Sequence, residues 1–219
     1  CGVSVGIPTS ESTEELLGEV GMYVDAGYRR IKLKIEPGWD IEPVAAVRER
    51  WPTIPLQVDA NQAYSREHAH HLARLDEFDL LLIEQPLEEE DWWGHTLIAR
   101  ACSTPICLDE TIVSVDRVRH AIMQQACDII NLKLGRLGGI TPTLEVRQMC
   151  EDAGYEVVSA GKSKADGGWC FDGSNVPKAG ASQRSSAQKK DKSRRKGKGG
   201  FAGEIAKSGF YLVVAAVLV

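Results

Sequence analysis

Five polar residues close five strand-like segments at nearly one spacing, and this period constrains the architecture more than any other feature. Lys34 ends Arg30-Ile31-Lys32-Leu33-Lys34, Asp59 ends Leu56-Gln57-Val58-Asp59, and Glu84 ends Leu81-Leu82-Ile83-Glu84. Asp109 ends Ile106-Cys107-Leu108-Asp109, and Lys133 ends Ile130-Asn131-Leu132-Lys133. The steps are 25, 25, 25 and 24 residues. Each step accommodates one strand, one helix and two short loops. The charged residues therefore occupy equivalent places in successive β/α units.

The segments between them read accordingly. Helices are expected over residues 13–26, 41–50, 65–75, 95–101, 115–125 and 141–153, with Ser12, Ser65, Ser114 and Thr141 as N-caps. Gly27 and Gly154 fall just past two of the helix ends, where a left-handed residue is favoured. Strands are expected over residues 3–7, 29–35, 55–60, 80–84, 105–109 and 129–134, with a seventh beginning at 156–160. Runs of Ile, Leu and Val that alternate with helices imply a buried parallel sheet. Special residues at the ends of five consecutive strands favour a closed ring over an open sheet, because only a ring brings them to one centre. The expected class is α/β: a (β/α)8 TIM-type barrel, incomplete here at six to seven units.

Charge divides the chain at about residue 160. Residues 1–160 hold 14 Lys and Arg against 27 Asp and Glu, while residues 161–219 hold 12 against 4. The first portion is expected to be the barrel with its metal site. The second, rich in Gly, Ser and Lys/Arg, is expected to be a disordered low-complexity tail or a sequence foreign to the fold. Its basic run at 183–200 has no aromatic residues interleaved with the charges, so no specific nucleic-acid partner is expected. The apolar run at 210–219 is about half the length needed to span a bilayer, so no membrane partner is expected either. Six scattered cysteines without a CxxC pair fit reduced core residues of a cytoplasmic protein.

Asp59, Glu84 and Asp109 offer only oxygen donors, a set suited to Mg²⁺, with Mn²⁺ as the alternative. Lys32 and Lys34, two residues apart, share one strand face. Their mutual repulsion, with a divalent cation nearby, favours the neutral amine and suits a general base. Lys133 would reach the same centre from the opposite side. A substrate carboxylate on the metal becomes a stronger carbon acid at its α-position. His68, His70 and His71 on one helix are expected to be solvated, and Trp92 and Trp93 to pack in the loop after Pro86.

These motifs, with Val58-Asp59-Ala60-Asn61, Ile83-Glu84-Gln85-Pro86, Leu108-Asp109-Glu110 and Asn131-Leu132-Lys133-Leu134-Gly135-Arg136-Leu137-Gly138-Gly139, resemble the enolase superfamily in its muconate-lactonizing-enzyme subgroup. The stretch 32–154 is most similar to o-succinylbenzoate synthases and N-acylamino acid racemases. The resemblance covers about residues 1–157. It implies that Asp59, Glu84 and Asp109 bind Mg²⁺, that Lys34 abstracts the α-proton, and that Lys32 tunes Lys34 and contacts the substrate carboxylate. It further implies that Lys133 stabilises the enediolate or acts as second acid/base, with Asn61 and Glu110 orienting ligands or lysines. The implied partner is a small-molecule carboxylate, and the implied reaction is dehydration in menaquinone biosynthesis or racemisation. A homo-oligomer is compatible with the family. The family pattern also includes an N-terminal capping domain and two further strands. Their lack here is the expectation, with an inactive fragment, a frameshifted product or another muconate-cycloisomerase-like enzyme as alternatives.

Overall fold

A computed structural model describes residues 2–162 and 169–172, with side chains up to residue 158. Seven parallel strands follow in sequence order: β1 (Gly2–Val5), β2 (Arg30–Lys34), β3 (Leu56–Asp59), β4 (Ile83–Glu84), β5 (Ile106–Leu108), β6 (Ile129–Leu132) and β7 (Glu156–Lys162). Each pairs with the next. A short β8 (Trp169–Asp172) returns antiparallel to β7 and comes to lie beside β1. Thus β7 and β8 carry the sheet past residue 160, the expected limit of the barrel. The rest of the expected tail, with its basic and apolar runs, lies outside the described residues.

Strand alternation creates two cores. Ile31, Leu33, Leu56, Val58, Ile83, Ile106, Leu108, Ile130 and Leu132 are buried in the large cluster shared with the helices. The residues between them point to the other face. There Leu82, Cys107, Ile129 and Val158 form a second, smaller apolar cluster. Lys32, Gln57, Asp59, Glu84 and Asn131, which alternate with the helix-facing residues, are also buried. The polar strand ends therefore belong to the face opposite the helices.

The helices are α1 (Thr13–Asp25), α2 (Ile41–Arg50), α3 (Ala69–Leu72), α4 (Trp92–Ala101), α5 (Val115–Gln124), α6 (Leu134–Leu137) and α7 (Ile140–Ala153). Ser12 caps α1 through the Glu15 amide, and Ser114 caps α5 through the Arg117 amide. The helix expected over 65–75 is broken into two 3₁₀ segments, Arg66–His68 and Ala73–Phe78, around one turn of α3. Thr141 is not a cap: α7 starts one residue earlier, behind Gly139 at φ +123. Gly139 adopts a backbone conformation that L side chains rarely take, so the glycine fixes the start. Trp92 and Trp93 open α4 rather than lying in a loop.

Two polar side chains, one half-buried and one buried, brace the loops and helices around the sheet. Arg48, at the end of α2, donates to the carbonyls of Phe78 (2.8 Å), Asp79 (3.1 Å), Pro52 (3.2 Å) and Ile54 (2.8 Å). It ties together the loops that enter β3 and β4, at the end of the sheet away from the charged residues. His95 in α4 is fully buried, with Nδ1 3.0 Å from the Asp91 carbonyl. Burial lowers its pKa from 6.5 to about 4, so the ring is neutral in the fold.

Arg48→Lys is expected to cost on the order of 2–3 kcal/mol, since an ammonium cannot reproduce a planar fork that serves four carbonyls. Urea unfolding would measure it. For His95, the unfolded chain binds the proton more tightly than the fold does. Its stabilising contribution is therefore complete above about pH 6.5 and is lost as pH falls toward 4, by roughly 3 kcal/mol. His95→Gln should flatten that part of the stability–pH curve.

Candidate active site

Parallel pairing places Lys34 opposite Asp59 and Asp59 opposite Glu84, so three charged residues form one row across β2, β3 and β4. Asp109 follows β5 directly, and Lys133 stands between β6 and α6. Asp59, Glu84 and Asp109 are each no more than 2% exposed. Lys32 is also buried, one step lower on the same face of β2 as Lys34.

The cations meet the carboxylates directly. Lys32 Nζ lies 2.8 Å from Asp59 Oδ2 and 3.1 Å from Glu84 Oε2. Lys34 Nζ is 2.7 Å from the same Asp59 oxygen and donates to Asn61 Oδ1. Asn61 in turn donates from Nδ2 to Glu110 Oε1 at 2.8 Å. On the other side, Lys133 Nζ is 2.5 Å from Asp109 Oδ2, and Arg136 donates to Oδ1 at 2.6 Å. The eight residues expected from the sequence thus lie along the strand ends in two bonded groups, Lys32, Lys34, Asp59, Glu84, Asn61 and Glu110 in one and Asp109 with Lys133 in the other.

The electrostatics follow from burial and neighbours. Burial pushes the Glu84 carboxyl up to about 7, and the adjacent Asp59 and Asp109 charges add to that rise beyond what Lys32 offsets. For Asp59, burial raises the pKa, but Lys32 and Lys34 outweigh it and the net shift is downward. Lys32 corrects the expectation of a weakened ammonium. Burial lowers its pKa, but the Glu84 and Asp59 carboxylates more than compensate, so the proton is held more firmly than usual.

Among the described residues, no three carboxylate, imidazole or thiol groups are gathered closely enough to hold an ion as they stand. The ammonium groups and Arg136 take the carboxylate oxygens instead. The donor chemistry nevertheless fits a hard divalent cation. Three buried carboxylates end adjacent strands, and two further buried oxygens of this rim, Glu110 Oε2 and Asn131 Oδ1, have no hydrogen-bond partner among the described residues. Such an excess of acceptors suits a cation with its water.

Three residues at the rim carried no assigned role in the sequence. Asn131 donates to Glu84 Oε1 at 2.9 Å. Its position two residues before Lys133, on the same face of the strand, was the available signal. Arg136 shares Asp109 with Lys133. Gln85 is fully buried beside Glu84 and bonds to the Asp109 amide.

The histidines are not uniformly solvated. His71 Nε2 lies 2.7 Å from Asp40 Oδ2, the oxygen that also accepts from the Tyr64 hydroxyl at 2.9 Å. Asp40 is buried, so this cluster locks the loop after β2 to α3. Trp92 packs its ring 4.4 Å from that of His120, while Trp93 is exposed.

Comparison with known proteins agrees with this geometry. The family described as "Enolase C-terminal domain-like" matches residues 15–166. The chain is 56% identical over 162 residues to an N-succinylamino acid racemase from Amycolatopsis sp, covering 74% of this chain and 44% of the relative. It is 43% identical over 164 residues to an o-succinylbenzoate synthase from Geobacillus kaustophilus, covering 75% and 43%. An L-talarate dehydratase from Polaromonas sp. JS666, complexed with Mg and L-glucarate, superposes with a TM-score of 0.64 at 31% identity, covering 71% of this chain and 46% of that one. The chain spans less than half the length of these proteins. The strand order, the ring of charged strand ends and these matches together establish that the chain belongs to the enolase C-terminal domain-like family.

Proposed function

We propose that this chain bears the catalytic rim of a cytoplasmic, Mg²⁺-dependent enzyme that removes the proton α to a carboxylate. The first reading is o-succinylbenzoate synthase, a dehydration in menaquinone biosynthesis. N-acylamino acid racemisation is the companion reaction on the same residues. The observation that supports this reading most is the placement of Lys34 and Lys133 on opposite flanks of three buried carboxylates.

Asp59, Glu84 and Asp109 would hold the ion, which when bound supplies a positive centre that acidifies the α-carbon of a substrate carboxylate. Lys34, steered by Asn61, takes the α-proton onto Nζ. Lys32 stays protonated between Asp59 and Glu84 and contributes a fixed positive charge toward an incoming carboxylate. Lys133 approaches from the other side. In racemisation it delivers a proton to the face opposite Lys34. In dehydration its ammonium stabilises negative charge while the C–H electron pair forms the new double bond and the β-hydroxyl leaves with a proton as water. Arg136 orients Asp109, whose other oxygen faces Lys133.

Two relatives with different names, one a racemase and one a synthase, support a rim that serves both outcomes. Solvent deuterium exchange at the α-carbon of an N-succinylamino acid tests the proposal. Exchange should require Mg²⁺ and stop with EDTA. Lys34→Ala should lower it by about 10²–10⁴-fold, the usual worth of a positioned base. Lys133→Ala should leave exchange in the enantiomer that Lys34 deprotonates but abolish inversion. No exchange in the native chain at saturating Mg²⁺ would refute the activity. Separately, Glu84→Gln should remove the calorimetric signal of Mg²⁺ uptake while leaving the circular dichroism spectrum unchanged.

A further inference from the structure

We propose that Gln85 is a positioning residue that fixes Asp109 relative to Glu84, and so sets the geometry in which the rim receives a divalent cation. This rests on the reading of Asp59, Glu84 and Asp109 as the ion-holding set.

The need for such a device follows from the sheet. Strand β4 has two residues, and its ladder to β5 consists of Ile83 against Ile106 and Glu84 against Cys107. Asp109 lies two residues beyond that last rung. On its other side β5 is paired with β6 as far as Leu108, against Ile130, so strand pairing holds Glu84 but ends one residue short of Asp109 and ties it to nothing on β4.

Gln85 supplies the missing connection. Its Oε1 accepts from the Asp109 amide at 2.9 Å and the Thr111 amide at 3.3 Å. Its Nε2 donates to the Leu87 carbonyl at 2.9 Å and to Thr111 Oγ1 at 2.8 Å. A primary amide has two hydrogens to give and two lone pairs to offer, and all four are used. The arrangement admits one orientation only, because two backbone N–H groups require the oxygen and the Leu87 carbonyl requires the nitrogen. His95 approaches Nε2 at 3.4 Å. With its Nδ1 proton directed at the Asp91 carbonyl, its Nε2 presents a lone pair to the amide and no competing donor.

The backbone points the same way. Gln85 has φ +38, a region that non-glycine residues seldom occupy. It is also fully buried, with its own N–H donating to the Cys107 carbonyl at 2.8 Å. This turn directs the side chain across to β5 immediately after Glu84. Methionine would keep the volume and lose all four bonds. Asparagine would keep the chemistry but fall one methylene short.

The test titrates native protein, Gln85→Met and Gln85→Asn with Mg²⁺ alone and with Ca²⁺ alone, and follows amide hydrogen exchange at Asp109 and Thr111 in metal-free samples. Mg²⁺ affinity should fall by about 10–100-fold in both variants, the usual effect of removing a group that orients a metal ligand. Ca²⁺ affinity should fall less, because Ca²⁺ accepts variable ligand distances whereas Mg²⁺ demands a near-ideal octahedron. The Ca²⁺/Mg²⁺ affinity ratio should therefore rise, and exchange at both amides should accelerate. A general loss of stability would weaken both ions alike and leave the ratio fixed. An unchanged Mg²⁺ affinity and ratio in a folded variant overturns the proposal. So does failure of both variants to fold, since Gln85 would then serve the core. Uptake of neither ion by the native chain would instead refute the metal reading, and unchanged exchange at Asp109 and Thr111 would then overturn the placement of β5 by Gln85.

Discussion

Asp59 and Glu84 can be buried side by side because the Lys32 ammonium lies between them. Two adjacent carboxylates removed from water repel each other and lose hydration, and either effect alone opposes folding. Lys32 answers both, with contacts of 2.8 and 3.1 Å. The compensation is incomplete at Glu84, whose pKa remains high, and more than complete at Asp59. That imbalance is a stored electrostatic demand at the centre of the rim. Lys34, Lys133 and Arg136 gather around it from both sides, and the strand registers that align Lys34, Asp59 and Glu84 set where the demand falls.

Much of this was legible in the sequence, for reasons that differ by residue. The 25-residue period marks Lys34, Asp59, Glu84 and Asp109 because parallel β/α units repeat their geometry, so equivalent positions reach equivalent places. The alternation of Ile31, Lys32, Leu33 and Lys34 likewise announces which residues face the helices. Gln85 and Arg48 were not legible, because their roles depend on long-range partners: an amide on β5 in one case, four loop carbonyls in the other. The firmly held proton of Lys32 is hidden in the sequence for the same reason. Its neighbour in sequence is another lysine, but its neighbours in space are two carboxylates. The start of α7 is set by a positive-φ glycine, Gly139, which no side-chain capping signal announces. His71 looked solvated because its partner, Asp40, is contributed by another β/α unit.

The family match and the rim support each other without duplicating one another. A match over residues 15–166 spans β2 to β7 and every charged strand end. The contacts add how those ends are balanced, and they bring Asn131, Arg136 and Gln85 into the same network. Two relatives named for different reactions share this stretch.

Arg48 has a consequence for how such a protein can be altered. Its four carbonyl bonds hold the loops at the entry to β3 and β4, while the charged rim occupies the exits of those strands. The two ends of one strand thus carry separate tasks. Substitutions that tighten the entry loops can raise the tolerance of the whole fold to mutation without touching the crowded charges at the other end. A scaffold divided in this way can absorb changes at its rim, including ones that redirect chemistry, because the reserve that offsets their cost is held a strand's length away.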